Sequence, residues 1–482
     1  MDVPTLKQHF ANLRQYYLNG NTRSLAWRYD QLNALKRMLE ERYSDFEGAL
    51  YQDLHKSPFE CYATEMGFLT NDIDHTLRHL AQWIESPTVP TPIFLQAATS
   101  RIMFEPLGVV LIMGAWNYPM QLTLGPLIGA IAAGNTAVIK PPRTAAETFK
   151  VLSKIFPQYM DPAAFRVVSE DTPNDLLLDL PWDKIFLTGS GQVGRIVMQA
   201  AAKHLTPVTL ELGGKSPTLV DETANLEVAT HRIAQGKFIN AGQTCVAPDY
   251  VLVQEQVMEP LITALVKCIH EFFGDDPRQS IEYGRIINLK QFDTLAAYLA
   301  DGEIVTGGQT DRDERYIAPT ILKNVSPDAS VMQSEIFGPI LPILPVKDMD
   351  EAVDFVNRRD KPLALYVFSE DRTVVQSVLE RTTSGGACVN DTVNHLAVAD
   401  LPFGGAGPSG VGKYHGEWGF REFSNARAVY DHDVHFDPAV RYPPFDEKKL
   451  NSLKRMMRMQ IPTVFNGGLG WVLKHWGNKF MG

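Results

Sequence analysis

Residues 106–139 read PLGVVLIMGAWNYPMQLTLGPLIGAIAAGNTAVI, with no Asp, Glu, Lys or Arg between Glu105 and Lys140. A run of that length is enough to cross a bilayer, for which roughly 20 apolar residues suffice. Its punctuation argues for a different fold. Gly108, Gly114, Asn117, Pro119, Gly125, Pro126, Gly129, Gly134 and Asn135 cut it into a short apolar run from Leu107 to Met113, a loop, a small-residue helix near 122–133, and a second run from Thr136 to Ile139. Strands covered on both faces read as unbroken apolar runs, and a parallel pair needs a helical crossover. The stretch therefore predicts a buried β-α-β unit of a parallel sheet.

The same alternation extends downstream. Apolar runs at Phe165 to Val168, Lys184 to Leu187 and Val208 to Leu210 are separated by helical stretches, and the second half repeats the style with strands at Tyr250 to Val253 and Leu363 to Phe368 and helices at Val257 to Phe273 and Arg372 to Thr382. Upstream, residues 1–82 are helical in period, as at Leu32, Leu35, Leu39 and Tyr43. Pro87, Pro90 and Pro92 then mark an extended connector. Two α/β lobes are the economical reading.

The 482 residues carry 45 Lys+Arg against 56 Asp+Glu, a net charge of −11. An acidic chain lacks the basic face that displaces phosphate counterions, which argues against nucleic-acid binding. Cys61, Cys245, Cys268 and Cys388 are too few and too scattered for a disulfide scaffold, and no Cys/His spacing points to a metal. With no apolar signal block at the N-terminus, a cytoplasmic, reducing location is expected. The tail differs from the body. Residues 448–482 hold seven basic and no acidic residues, so removing +7 from −11 leaves −18 on the rest of the chain. With Trp471, Trp476 and Phe480, that tail suits weak peripheral contact with an anionic membrane, while a C-terminal helix packed on the acidic body is the plainer alternative.

Five motifs carry chemistry. Asn240-Ala241-Gly242-Gln243-Thr244-Cys245-Val246-Ala247-Pro248 sets a cysteine among small, flexible residues, as a reactive thiol requires, although a lone cysteine is more often a buried apolar residue. Gly189-Ser190-Gly191-Gln192-Val193-Gly194 follows a strand and opens a helix, placing backbone N–H groups where a phosphate can bind. By the ordinary dinucleotide rule, Glu211, seventeen residues beyond Gly194, falls near the ribose-binding position. It opens the third motif, Glu211-Leu212-Gly213-Gly214-Lys215-Ser216-Pro217. The fourth ends in Trp116-Asn117-Tyr118-Pro119, where the Asn117 amide either caps the next helix or donates to a ligand oxygen. The fifth, Ile139-Lys140-Pro141-Pro142-Arg143, ends a strand in two positive charges, at the edge where cofactors bind open α/β sheets.

With Glu335-Ile336-Phe337-Gly338-Pro339, Pro402-Phe403-Gly404-Gly405 and Tyr414-His415-Gly416 added, the chain resembles the aldehyde dehydrogenases from about residue 5 to 430, and within them the class 3 branch of fatty and aromatic aldehyde dehydrogenases. The resemblance implies that Cys245 attacks the aldehyde carbonyl and that the Asn117 amide and the Cys245 N–H hold the oxyanion. It makes Glu211 the base that activates the water, overruling the ribose role. Lys140 and Glu335 would hold cofactor ribose hydroxyls, Phe337 would pack by the nicotinamide, and Gly189, Ser190 and Gly194 would line the adenosine and pyrophosphate side. Trp116, Tyr118 and Phe403 would line an apolar substrate entrance.

Many NAD-preferring relatives carry a glutamate three residues after the lysine; here that place is Arg143. A guanidinium pairs with a 2′-phosphate that a carboxylate repels, so NADP is expected to be accepted, alone or beside NAD, unless Arg143 simply points to solvent. The expected organisation is α/β with a Rossmann-like cofactor domain (1–82 and 106–211), a catalytic domain (212–392), a β-strand oligomerisation arm (83–105 and 393–430) and a tail (431–482). Such an arm predicts a homodimer. The rivals are an acylating relative, which passes the thioester to coenzyme A or phosphate, and a catalytically silent scaffold.

Overall fold

The computed structural model describes residues 3–458, so Trp471, Trp476 and Phe480 of the basic tail lie outside the described residues. The chain divides into two compact units, one formed by the residues up to His79 with Leu107–Phe423, the other by Leu80–Pro106 with the chain from Ser424 onward.

In the larger unit the stretch that opened the sequence reading is a parallel β-α-β unit. Val109–Met113 and Thr136–Lys140 pair in parallel, from Val109 opposite Thr136 to Met113 opposite Lys140, and Gln121–Ala133 is the helix between them. Every residue of that helix is buried, which explains its lack of charge. Among the described residues no helix is long and apolar enough to cross a membrane. The sheet has six strands in the order Gly410–Val411, Val208–Glu211, Lys184–Thr188, Val109–Met113, Thr136–Lys140 and Phe165–Val167, all parallel except the first.

A second sheet of seven strands runs Glu303–Thr306, Thr320–Lys323, Ile340–Val346, Tyr250–Gln254, Pro217–Val220, Ala364–Phe368 and Gly386–Val389, parallel except for its first strand. This is the α/β class expected. The chain leaves the carboxyl edge of the first sheet at Glu211 and enters the amino edge of the second at Pro217, so the motif between them joins the two edges.

The smaller unit is an antiparallel ribbon. Ala98–Pro106 pairs along its whole length with Ser424–His432, and Thr88–Val89 adds a short third strand. The unit boundary differs from the expected arm, which took in residues from 393. Residues up to Phe423 belong to the larger unit because Gly410–Val411 hydrogen-bonds beside Leu210–Glu211 and the helix Gly416–Glu422 packs against Gln121–Ala133, where Gly129 and Gly419 meet.

The C-terminal end of Gln121–Ala133 is closed by a distant residue. Arg28, buried in Leu25–Glu41, donates from Nη1 to the Ala132 carbonyl at 2.9 Å, and its guanidinium fills the space a Cβ on Gly134 would need. A cation there satisfies an orphan carbonyl and the helix dipole. Burial lowers its pKa to about 10. Replacing Arg28 with Met should therefore cost about 1–3 kcal/mol, read as a lower urea midpoint, through the carbonyls it leaves unpaired.

Candidate active site

Cys245 sits in a turn just ahead of the strand Tyr250–Gln254. The approach to it is an unusual backbone: Asn240, Ala241 and Gly242 are all left-handed, with φ of 51°, 50° and 75°. At Gly242 a Cβ would meet the Gly338 carbonyl oxygen at 2.3 Å, so only glycine lets this loop pass the Glu335–Pro339 segment. Gln243 fastens the loop. Its fully buried amide donates to the carbonyls of Asn240 (2.9 Å) and Arg285 (3.0 Å) and accepts from the Ile287 N–H (2.9 Å).

Asn117 arrives from the first sheet, four residues past the end of Val109–Met113. One of its two amide hydrogens goes to the Gln243 carbonyl (3.0 Å), which places the side chain beside the cysteine loop with one hydrogen left to give. The neighbouring Tyr118 is buried, its hydroxyl paired with Thr244 Oγ1 at 2.5 Å and its ring over the Lys56 ammonium. Tyr118 is thus packed behind the thiol rather than left open as an entrance wall.

Two carboxylates face the thiol. Burial, then the charges of Glu335 and Glu211, push the Cys245 pKa up, with its own N–H and that of Val246 pulling the other way. Glu211 ends the strand Val208–Glu211 and is buried, with neither carboxyl oxygen hydrogen-bonded among the described residues. Burial raises its pKa well above the carboxylate range, and the Lys413 cation partly offsets this. Gly404, at φ 152°, passes so close that a Cβ there would sit 2.8 Å from Glu211 Oε1. Phe403 is buried, ring-stacked on His415 at 5.1 Å and beside Tyr414 at 5.8 Å.

Glu335 is held where the second sheet begins. Asp249 accepts the Ile336 N–H at 2.8 Å and forms a buried ion pair with Lys215, while the Gly214 N–H binds the Glu335 carboxylate. Burial, then the Asp249 charge, raises its pKa to about 8. Glu335 Oε1 has no partner, and a Cβ on Gly213 would overlap Oε2 at 1.9 Å. Phe337 meets Trp116 edge to face with centroids 5.2 Å apart. Lys140 ends its strand buried, its pKa lowered to about 8 by burial and then by Arg143. The Arg143 side chain is tethered to the Thr172 carbonyl. Ser190 caps the helix Gly191–Ala202 at Val193 N–H, and Gly189 N–H binds the Glu211 carbonyl at 2.9 Å. Gly194 is a packing glycine, its missing Cβ replaced by Leu212 at 2.8 Å.

The profile of the Aldehyde dehydrogenase family matches residues 14–429. The chain belongs to that family. It is 47% identical to aldehyde dehydrogenase family 3 member B1 of Homo sapiens over 93% of this chain and 96% of that one. It is 45% identical to the Rattus norvegicus protein named aldehyde dehydrogenase, dimeric NADP-preferring, over 90% and 97% of the two chains. A solved structure, the substrate-bound state of Staphylococcus aureus AldH, superposes with a TM-score of 0.91 at 44% identity, covering 94% of this chain and 99% of that one. As an aldehyde dehydrogenase, the protein oxidises aldehydes to carboxylic acids with NAD(P).

The sequence reading missed several residues that shape this aldehyde dehydrogenase site. Lys56, Glu65, Lys413 and Asp249 stand in no motif quoted above, and Lys215 was visible only as a member of one, without its partner Asp249. Gln243 and Tyr414 were visible only as members of motifs. Lys413 carries a prediction. Its cation favours the Glu211 carboxylate, so Lys413→Met should raise the Glu211 pKa further and move the alkaline-rising limb of the kcat–pH profile to higher pH; an unmoved limb would mean that the two charges are not coupled.

Proposed function

We propose that Cys245, Glu211 and Asn117 carry out this oxidation on apolar aldehydes, medium- or long-chain or aromatic. The observation that supports the reading most is the meeting of one thiol with two buried carboxyl groups that are hard to ionise, one of them with both oxygens unpaired. Such perturbed groups, gathered at one place, are the mark of proton-transfer chemistry.

Cys245 Sγ gives up its proton to solvent and adds to the aldehyde carbonyl carbon, whose π-electron pair moves onto the oxygen. The free Asn117 Nδ2 hydrogen and the Cys245 N–H donate to the oxygen that becomes negative. NAD(P), when bound, would supply the hydride acceptor that this adduct needs to become a thioester on Sγ. The Glu211 carboxylate then takes a proton from a water, whose oxygen attacks the thioester, and the acid leaves as Sγ regains a proton. The residues present fit a dinucleotide. Glu335, with an unpaired buried oxygen, and Lys140, a buried cation at a strand end, would hold ribose hydroxyls; Phe337 would lie by the nicotinamide, and the Gly189–Ser190 turn would lie by the pyrophosphate.

Arg143 at the strand end supports NADP acceptance, as does the printed name of the rat relative. Its tether on the Thr172 carbonyl keeps the guanidinium near the Lys140 strand. That same name and the long ribbon of Ala98–Pro106 with Ser424–His432, most of whose residues are partly or fully exposed, support a homodimer built by the arm. The helix Glu447–Arg458 has Leu450, Leu453 and Met457 exposed among five Lys and Arg, which supports peripheral contact with an anionic membrane by a chain otherwise at home in the cytoplasm.

Three experiments test these readings. Cys245→Ser should abolish turnover, while Glu211→Gln should release one burst of NAD(P)H per site and then turn over about 10²–10⁴-fold more slowly as thioester accumulates; a Cys245→Ser enzyme that still turns over refutes the mechanism. Arg143→Glu should lower kcat/KM for NADP about tenfold or more and spare NAD, an outcome a solvent-pointing arginine would not give. The full chain should co-sediment with phosphatidylserine vesicles at low salt and not with neutral ones, and Leu453→Asp should weaken that binding.

A further inference from the structure

The chemistry above leaves one buried ion pair without a task. Lys56 and Glu65 are both fully buried, with Lys56 Nζ 2.6 Å from Glu65 Oε1. All three ammonium hydrogens have a use: the second goes to the Asn117 backbone carbonyl at 2.9 Å, and the third faces the Tyr118 ring, whose centroid is 3.9 Å from Nζ. The other carboxyl oxygen of Glu65, Oε2, accepts the N–H groups of Met120 (3.1 Å) and Gln121 (2.9 Å), the start of the helix Gln121–Ala133. One ion pair therefore grips the short irregular segment 117–121 at both ends. Asn240, from the left-handed approach to the cysteine, adds a second donor to the same Asn117 carbonyl at 2.9 Å.

Two features set this pair apart from ordinary packing. A buried ion pair seldom stabilises a fold more than apolar residues of the same size would, so stability alone is a poor reason for it. Glu65 also lies in the π-helical turn Tyr62–Met66, between Pro58–Cys61 and Gly67–Ile84, and such turns, rare elsewhere, concentrate at functional sites.

We propose that Lys56 and Glu65 are positioning residues that aim the Asn117 amide at the developing oxyanion, an assignment that rests on the oxyanion role given to Asn117 above. The amide must stand within hydrogen-bond range of an oxygen that is negative only during reaction, and an error near 1 Å in a positioned group costs about 10²-fold in rate. Among the described residues, the Asn117 side chain donates one hydrogen bond, to the Gln243 carbonyl, and its backbone carbonyl is held by Lys56 and Asn240. Lys56 thus fixes the root of a side chain whose tip does the chemistry.

The test is a double-mutant cycle on the full-length enzyme with NAD(P) and a saturating aldehyde. Lys56→Met and Glu65→Gln should each lower kcat about 10–100-fold and leave the Kd for the dinucleotide unchanged. Asn117→Ala should lose about 10²–10³-fold. In the Asn117→Ala background, adding Lys56→Met or Glu65→Gln should cost little more, because the group they aim is gone. Equal fold losses in both backgrounds, or wild-type kcat in Lys56→Met, overturn the proposal. Full activity in Asn117→Ala overturns instead the oxyanion reading on which it rests. Glu65→Gln keeps the side-chain volume and an acceptor for the Met120 and Gln121 N–H groups, so its cycle decides the matter if Lys56→Met fails to fold.

Discussion

The site depends on a seam between two sheet edges. The carboxyl ends of Val109–Met113, Thr136–Lys140, Lys184–Thr188 and Val208–Glu211 supply Asn117, Lys140, Gly189 and Glu211, while the amino ends of Tyr250–Gln254 and Ile340–Val346 follow Cys245 and Glu335. Parallel pairing brings like ends of strands to one edge, so residues 94 positions apart in the chain, from Asn117 to Glu211, need no contact of their own to be neighbours. The link Leu212–Ser216 is what sets the two edges together, and it runs through Gly213 and Gly214 because Glu335 and the Pro362 backbone leave no room for side chains there. Few other arrangements would let the Asn117 amide from the first sheet and the Asn240 amide from the cysteine loop share a single carbonyl, that of Gln243, as anchor.

Holding such a seam dry has an electrostatic consequence. Cys245, Glu211 and Glu335 are each harder to ionise than in water, first through burial and then through nearby carboxylates: Glu335 and Glu211 act on the thiol, Glu422 on Glu211, and Asp249 on Glu335. That strain cannot be relieved by neutralising every charge with a partner, since a thiol clamped in an ion pair or a carboxylate with both oxygens filled has nothing left for substrate. Four supporting residues are instead well satisfied: Gln243, Asp249, Lys56 and Glu65 use their hydrogen-bonding groups largely on backbone.

That division explains what could be read in advance. The parallel core was legible because burial on both faces leaves a sequence with no polar choice, as in Val109–Met113 and in the helix Gln121–Ala133. Strands such as Thr320–Lys323 and Ile340–Val346, the latter broken by two prolines, show no such run and were not seen. The residues proposed to react stood out because thiol, amide and carboxylate occur there in motifs with glycine close by. Their supports did not. Lys56 and Glu65 lie nine positions apart, off any helical face, and only the π-helical turn brings them together, a departure from the 3.6-residue period that sequence patterns cannot register. In the literal G-x-G-x-x-G, Gly194 has a packing reason of its own, since a Cβ there would meet Leu212 at 2.8 Å.

The two carboxylates beside the thiol finally show how one environment separates two roles. Glu335 receives the Gly214 N–H, lies near the cations of Lys215 and Lys237, and is fixed by the Asp249 bond to the next residue, so its pKa rises only to about 8 and its position is set. Among the described residues, Glu211 has no hydrogen bond to either oxygen, and the cation that acts on it is Lys413, whose ammonium is already committed to the carbonyls of Gly385 and Gly404. A carboxylate held from behind suits binding, since it keeps its place in either protonation state. One that is poorly solvated and free to turn suits proton transfer, because its basicity once ionised is high and its oxygens can follow the water they activate. Their surroundings thus support the proposed division, binding for Glu335 and proton transfer for Glu211, and the carbonyls that hold Lys413 fix the cation that limits how far the Glu211 pKa rises.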